Sequence, residues 1–313
     1  MRFAVIGAGG VGAYFGAMLA SAGENVMFTA RGPHLDAMKR EGLRVVSPHG
    51  TMKVPPERCV GSPAEIGPVD TVLFCVKSYD TERTAPSLAP LLHPATVIIS
   101  LQNGVDNEEK LGRSLPGCTI FGGVAYIYST ITRPGEVALA GGPAKIVFGP
   151  FDGAPPDHRR RAIEIRDICA HAGIDAEASV DIVAALWKKF IFITGAGGIT
   201  ALTRLTLGEI LAVTQSRDLL ADAMRETESI ARARGVRIEE RYLDGVFDTL
   251  SKFDNKTRSS LYYDLVHGKP LEIEALAGTV VRNGAALGIP TPVNRAVYAA
   301  LLPYHLHNSE NIR

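Results

Sequence analysis

"RFAVIGAGGVGAYFGAMLASAG", residues 2–23, decides the fold. Phe3 to Ile6 predicts a short apolar strand, the glycines a tight turn, and the small apolar residues after them a helix. Gly7, Gly9 and Gly12 stand in G-x-G-x-x-G spacing. The first glycine permits the turn, the second lets a pyrophosphate approach the backbone, and the third allows close packing of helix on strand. The helix N-terminus then offers N–H groups and a favourable dipole to an anion. Gly7, Ala8, Gly9, Gly10, Val11 and Gly12 are therefore the expected dinucleotide cradle. The same stretch has an early arginine and an A-S-A near its end, as a signal peptide does. Its glycines would weaken a continuous apolar helix and are better explained by the turn. The segment is expected to be mature structure in a cytoplasmic protein.

The next strand, "NVMFTA" (25–30), ends at Arg31. NAD sites usually carry an acid there for the ribose 2′-OH, whereas NADP sites tend to carry an arginine for the 2′-phosphate. No acid adjoins Arg31: Glu24 precedes the strand and Asp36 belongs to the following helix. The expected cofactor is NADP. "TVLFCVKSYDT" (71–81) and "ATVIISLQNGVDNEE" (95–109) are apolar runs that end abruptly in polar residues, as buried parallel strands do. Ligands of open α/β sheets bind at the carboxyl ends of such strands, which puts Lys77 and Asn103 on the side of the glycine turn.

Composition bounds the rest. The chain has 313 residues, 46% of them hydrophobic, a content that suits a soluble protein of two domains. Its 33 basic residues balance 33 acidic ones, so nothing favours a nucleic-acid or anionic-membrane partner. Cys59, Cys75, Cys118 and Cys169 are widely spaced and form no CxxC pair, a pattern of reduced thiols and not of a metal site. Between 119 and 149, "TIFGGVAYIYSTIT", "GEVALA" and "AKIVFG" predict an antiparallel extension of the sheet. Beyond about residue 180 the strand pattern gives way to helices, expected over 181–194, 215–234, 258–266, 270–287 and 293–304. The fold class is thus α/β: an N-terminal Rossmann-like domain, 1–178, with a mostly parallel sheet, then an all-α C-terminal domain, 179–313. An active site is expected in the cleft between them. The apolar helices of the second half suit a homodimer interface as well as a core.

"LWKKF" (186–190) sets Lys188 and Lys189 in an apolar helix with no evident solvent face. A lysine is seldom buried without a partner, so at least one of them should reach a polar cavity.

"GAGGVG", Arg31, "VKSYD", "LQNGV", "LWKKF", "RSSLYYDLVHGKPLEIEAL" and "LGIPTPVN" together resemble the 2-dehydropantoate 2-reductases (ketopantoate reductases) over nearly the whole chain. The resemblance implies NADPH-dependent reduction of 2-dehydropantoate to pantoate, in pantothenate biosynthesis. It implies Lys189 as the catalytic lysine, Glu272 assisting at the reacting oxygen, and Ser260 binding the substrate carboxylate. Asn103 and Lys77 would line the nicotinamide–substrate pocket. A desolvated ammonium suits this chemistry, because it supplies both charge and a proton where an alkoxide develops. Lys188 is expected to snorkel to solvent.

The chain departs from the family at one place. Well-known members carry asparagines four and eight residues after the lysine, where they hydrogen-bond substrate hydroxyls; here those positions are Ile193 and Gly197. Both offsets fall on the lysine's helical face, so the substrate wall there is apolar and small. Two alternatives therefore stand beside 2-dehydropantoate reduction: reduction of another branched or apolar 2-oxo acid, and a non-catalytic NADP-binding regulator, which would need neither the lysine nor the glutamate.

Overall fold

The computed structural model describes residues 1–252 and 254–310. Arg2–Ile6 is strand β1, and Gly10–Ser21 the helix α1 that follows the glycine turn. The strands after it are β2 (Asn25–Thr29), β3 (Leu43–Ser47), β4 (Gly50–Val54), β5 (Cys59–Val60) and β6 (Thr71–Phe74). They continue with β7 (Val97–Ser100), β8 (Thr119–Arg133), β9 (Glu136–Gly149) and β10 (Asp175–Ala178). Among the described residues these form one ten-stranded sheet, ordered β4-β3-β9-β8-β7-β6-β1-β2-β5, with β10 also paired to β9.

From β8 to β5 the neighbours run parallel, with β1 between β2 and β6. Phe3 and Val5 of β1 enter one hydrophobic core with Phe15 and Phe28; Ala4 and Ile6 enter another with Phe74 and Leu88. β6 and β7 divide their residues in the same way, Leu73 and Ile99 to the first core, Val72 and Ile98 to the second. A strand buried on both faces has no use for polar alternation, hence the unbroken apolar runs.

The antiparallel extension is present, but 136–149 is one strand and not two. β9 passes through Gly141 and Gly142, both at positive φ, in an irregular stretch opposite Tyr126 and Tyr128 of β8. The glycines there make a bulge, where the sequence suggested a turn.

The remaining helices of the N-terminal part are α2 (Gly32–Glu41), α3 (Thr81–Thr84), α4 (Asn107–Ser114) and α5 (Pro156–His171). Then come α6 (Ile182–Thr203), α7 (Leu207–Ala212), α8 (Thr214–Ala233), α9 (Tyr242–Leu250), α10 (Ser260–Val266), α11 (Thr279–Leu287) and α12 (Pro292–Glu310). The chain divides into two compact units, residues 1–102 with 106–185, and 103–105 with 186–313. A division at 178/179 falls at the end of β10; the units part slightly later, within α6.

α6 does not stop at Thr194. Gly195 packs so closely on Met224 of α8 that a Cβ there would lie 2.4 Å from its Cγ, and one at Gly198 would lie 3.0 Å from Val297 of α12. Glycine costs a helix roughly 0.5–1 kcal/mol, and the close approach it permits offsets that. Though α6 is long and apolar enough to cross a membrane, 67% of its most apolar window is buried in protein, as in a core helix. Residues 271–273 are not α-helical; a five-residue π-turn, Glu274–Gly278, leads into α11 instead. α11 ends at Gly288, whose φ of 68° is left-handed, and α12 opens at Pro292. Glu226 of α8 accepts from Val293 N (2.8 Å) and Asn294 N (2.9 Å) and so caps the start of α12.

Candidate active site

The glycine turn has the geometry that a dinucleotide requires. Gly7 sits at φ +95°, and a Cβ there would stand 3.0 Å from the Val76 backbone nitrogen. A Cβ on Gly12 would lie 2.4 Å from Gly7 O, and one on Gly16 2.5 Å from the Phe28 ring, so both glycines let α1 lie against the strands. Gly9 differs, since nothing lies within 4 Å of its absent side chain. No side chain caps α1 at Gly9, and no acid stands in its first turn. An open glycine before an uncapped helix start fits a pyrophosphate. At Gly10 a Cβ would meet Ser129 O at 2.2 Å, so β8 also approaches the turn. Ala8 is buried and Val11 half-buried.

His34 secures this turn, a role with no signal in the sequence. Its Nδ1 accepts from Gly135 N (3.0 Å), which leaves Nε2–H to donate to Ala8 O (3.0 Å). Burial lowers its pKa and favours this neutral, doubly bonded ring.

Arg31 follows β2 and precedes α2, two-thirds exposed, and its guanidinium pairs with Asp80. Asp80 is nearly buried and also accepts from Arg83 at 2.6 Å. The "VKSYD" motif thus contributes an anchor for arginine as well as Lys77, which is half-buried at the end of β6. Beside it, Gln102 donates to Val76 O (2.9 Å) and Thr81 Oγ1 (2.8 Å), tying the end of β7 to the chain after β6. Glu108 is buried nearby. Burial raises its pKa to about 7, against a hydrogen bond from Ser100. Asn103 is half-buried and falls in the C-terminal unit.

In that unit the two lysines of α6 separate. Lys188 forms an ion pair with Glu239, beyond simple snorkelling, and Tyr242 Oη donates to its backbone oxygen at 2.7 Å. Lys189 has a different environment. Burial lowers its pKa to about 8, and the negative charge of Glu272 opposes that shift. Glu272 is only 5% exposed, so it is no surface charge. Lysine and glutamate together give an ammonium that can hold or release a proton near neutral pH.

One and two turns after Lys189, Ile193 is half-buried and Gly197 buried. Gly197 nevertheless has nothing within 4 Å of the position a Cβ would take, unlike Gly195 and Gly198 beside it. Ser259 caps α10 by accepting from Tyr262 N (3.1 Å), and Thr200 Oγ1 donates to it at 2.7 Å. Capping therefore belongs to Ser259, while Ser260 is exposed on the first turn of α10. The structure brings Lys189 and Glu272 within electrostatic reach of each other, and puts Ile193 and Gly197 on the lysine's helix.

Known proteins match the chain over both units. The model of the family "Ketopantoate reductase PanE/ApbA" matches residues 3–153, and that of its C-terminal part matches residues 181–305. An uncharacterized oxidoreductase of Bacillus subtilis, YkpB, is 31% identical over 97% of this chain and 99% of its own length. A 2-dehydropantoate 2-reductase of Archaeoglobus fulgidus is 32% identical over 95% of each protein. The crystal structure of a 2-dehydropantoate 2-reductase from Geobacter metallireducens aligns with a TM-score of 0.89 at 32% identity, covering 97% of this chain and 99% of that one. The glycine turn, Lys189 with the buried Glu272, and these matches along almost the whole sequence lead to one conclusion: the chain belongs to the ketopantoate reductase PanE/ApbA family.

Proposed function

We propose that the protein reduces 2-dehydropantoate to pantoate with NADPH. Family membership makes it a pyridine-nucleotide-dependent oxidoreductase; the choice of NADPH and of substrate is our reading. The observation that carries it is Lys189, an ammonium whose pKa burial brings to about 8 while the buried Glu272 keeps it from falling further.

The residues at Gly7–Gly12 would hold the dinucleotide pyrophosphate, and Arg31 its 2′-phosphate. The bound nicotinamide supplies the hydride. Lys189 stabilises the negative charge that develops on the keto oxygen and delivers its proton there, giving the hydroxyl. Glu272 keeps the ammonium charged and oriented; Ser260 and Asn103 bind the substrate, with Lys77 beside the nicotinamide. Steady-state NADPH oxidation by the purified protein across a panel of 2-oxo acids tests this reading. No turnover with any of them would favour a non-catalytic NADP-binding role.

The acid form of Lys189 is the one that works. Reduction should therefore hold below about pH 8 and decline above it. Glu272 raises this pKa, so Glu272→Gln should shift the declining limb to lower pH as well as slow the reaction. A limb that stays in place in the variant would detach Glu272 from the lysine.

A second reading is favoured by Ile193 and Gly197. The open space at Gly197 and the apolar side chain at Ile193 suit a 2-oxo acid that lacks the 4-hydroxyl, such as 2-oxoisovalerate.

A further inference from the structure

Arg31 and Asp80 together carry no net charge, so as a pair they offer a dianionic 2′-phosphate little long-range attraction. Arg83 changes that balance. Its Nη2 lies 2.6 Å from Asp80 Oδ1, while Arg31 takes Oδ2, and the three groups sum to one positive charge. The carboxylate side chain is only 8% exposed, whereas those of Arg31 and Arg83 are 64% and 67% exposed. One nearly buried carboxylate thus pairs with two exposed guanidinium groups, one on each oxygen. Each retains donors that the carboxylate does not use. Arg31 follows β2, and Asp80 and Arg83 follow β6. Both strands flank β1 in parallel, so their carboxyl ends lie along the sheet edge that carries the glycine turn.

We infer that Arg83 is a second ligand for the adenosine 2′-phosphate, forming with Arg31 a two-arginine clamp anchored on Asp80. The inference rests on the NADP reading above and deepens it. Lysine would not serve equally at this position, because a guanidinium can bind carboxylate and phosphate at once through different edges of its fork.

The test is equilibrium binding of NADPH and of NADH, followed by cofactor fluorescence, to the unmodified protein and to Arg31→Ala, Arg83→Ala and Arg83→Lys. Loss of a charged hydrogen-bonding partner should weaken NADPH binding by roughly 10–100-fold in Arg83→Ala, and less in Arg83→Lys, with NADH affinity unchanged. Arg31→Ala should act in the same direction. If the unmodified protein prefers NADPH but Arg83→Ala still does, the clamp is wrong and Arg31 alone carries the choice. Equal weakening of both cofactors by Arg83→Ala would assign Arg83 a structural role and also overturn the clamp. If the unmodified protein does not prefer NADPH, the NADP reading itself fails, and the clamp with it.

Discussion

Lys189→Ala is expected to lower turnover by about 10²–10⁴-fold, the usual scale for a positioned acid, while NADPH affinity stays near that of the unmodified protein. Lys188→Ala should retain most of the activity, because Lys188 is engaged with the exposed Glu239. The two side chains are adjacent in sequence yet face different carboxylates, the exposed Glu239 for Lys188 and the buried Glu272 for Lys189. Burial lowers the pKa of Lys189 to about 8, near the pH at which proton transfer is efficient. Single-turnover rates with saturating NADPH separate the chemical step from binding. Interchanged effects of the two substitutions would mean that the acid is one residue earlier on α6.

Ile193→Asn combined with Gly197→Asn should move preference towards 2-dehydropantoate and away from 2-oxoisovalerate, by about 10²-fold in the ratio of kcat/KM. A site that hydrogen-bonds a substrate hydroxyl discriminates strongly against the analogue that lacks it, whereas an apolar wall gains only ~1–3 kcal/mol per methylene accommodated. The protein as it stands should therefore use 2-dehydropantoate with a high KM, or be outperformed on it by 2-oxoisovalerate. Room for the new amide exists at Gly197, which has nothing within 4 Å of the Cβ position. The neighbouring glycines offer a control. Gly195→Asn should instead destabilise the fold, since a Cβ there meets Met224 at 2.4 Å. If the unmodified protein already strongly prefers 2-dehydropantoate in steady-state kinetics, the hydroxyl is held by other residues and the apolar wall is irrelevant.

What the sequence disclosed depended on how local the cause was. The glycine turn was legible because each glycine answers a backbone requirement a few residues wide: φ at Gly7, open approach at Gly9, close packing at Gly12. Parallel strands were legible because burial on both faces leaves an unbroken apolar run. The length of α6 was not, since Gly195 and Gly198 lower helix propensity locally, and only α8 and α12 explain why they are tolerated. Helix α9, Tyr242–Leu250, was missed because it is short, contains Gly245, and buries only Val246 and Leu250. In the candidate site, Lys189 stood out as a charge in apolar surroundings. Asp80, His34 and Glu108 did not, because their partners lie far along the chain or their burial comes from tertiary packing.

The position of β1 bears on how the protein is made. It is first in the sequence yet interior to the sheet, with β2 on one side and β6, Thr71–Phe74, on the other. A ribosome releases β1 and β2 before β6, and the strand that closes the second side of β1 emerges about seventy residues after β1 itself. Until then Ala4 and Ile6 have no complete core to enter, and one backbone edge of β1 stays unpaired. Parallel pairing over such separations folds slowly and leaves a sticky intermediate during synthesis. Yield of soluble protein should therefore depend on translation speed and chaperone supply more than the stability of the finished sheet would suggest.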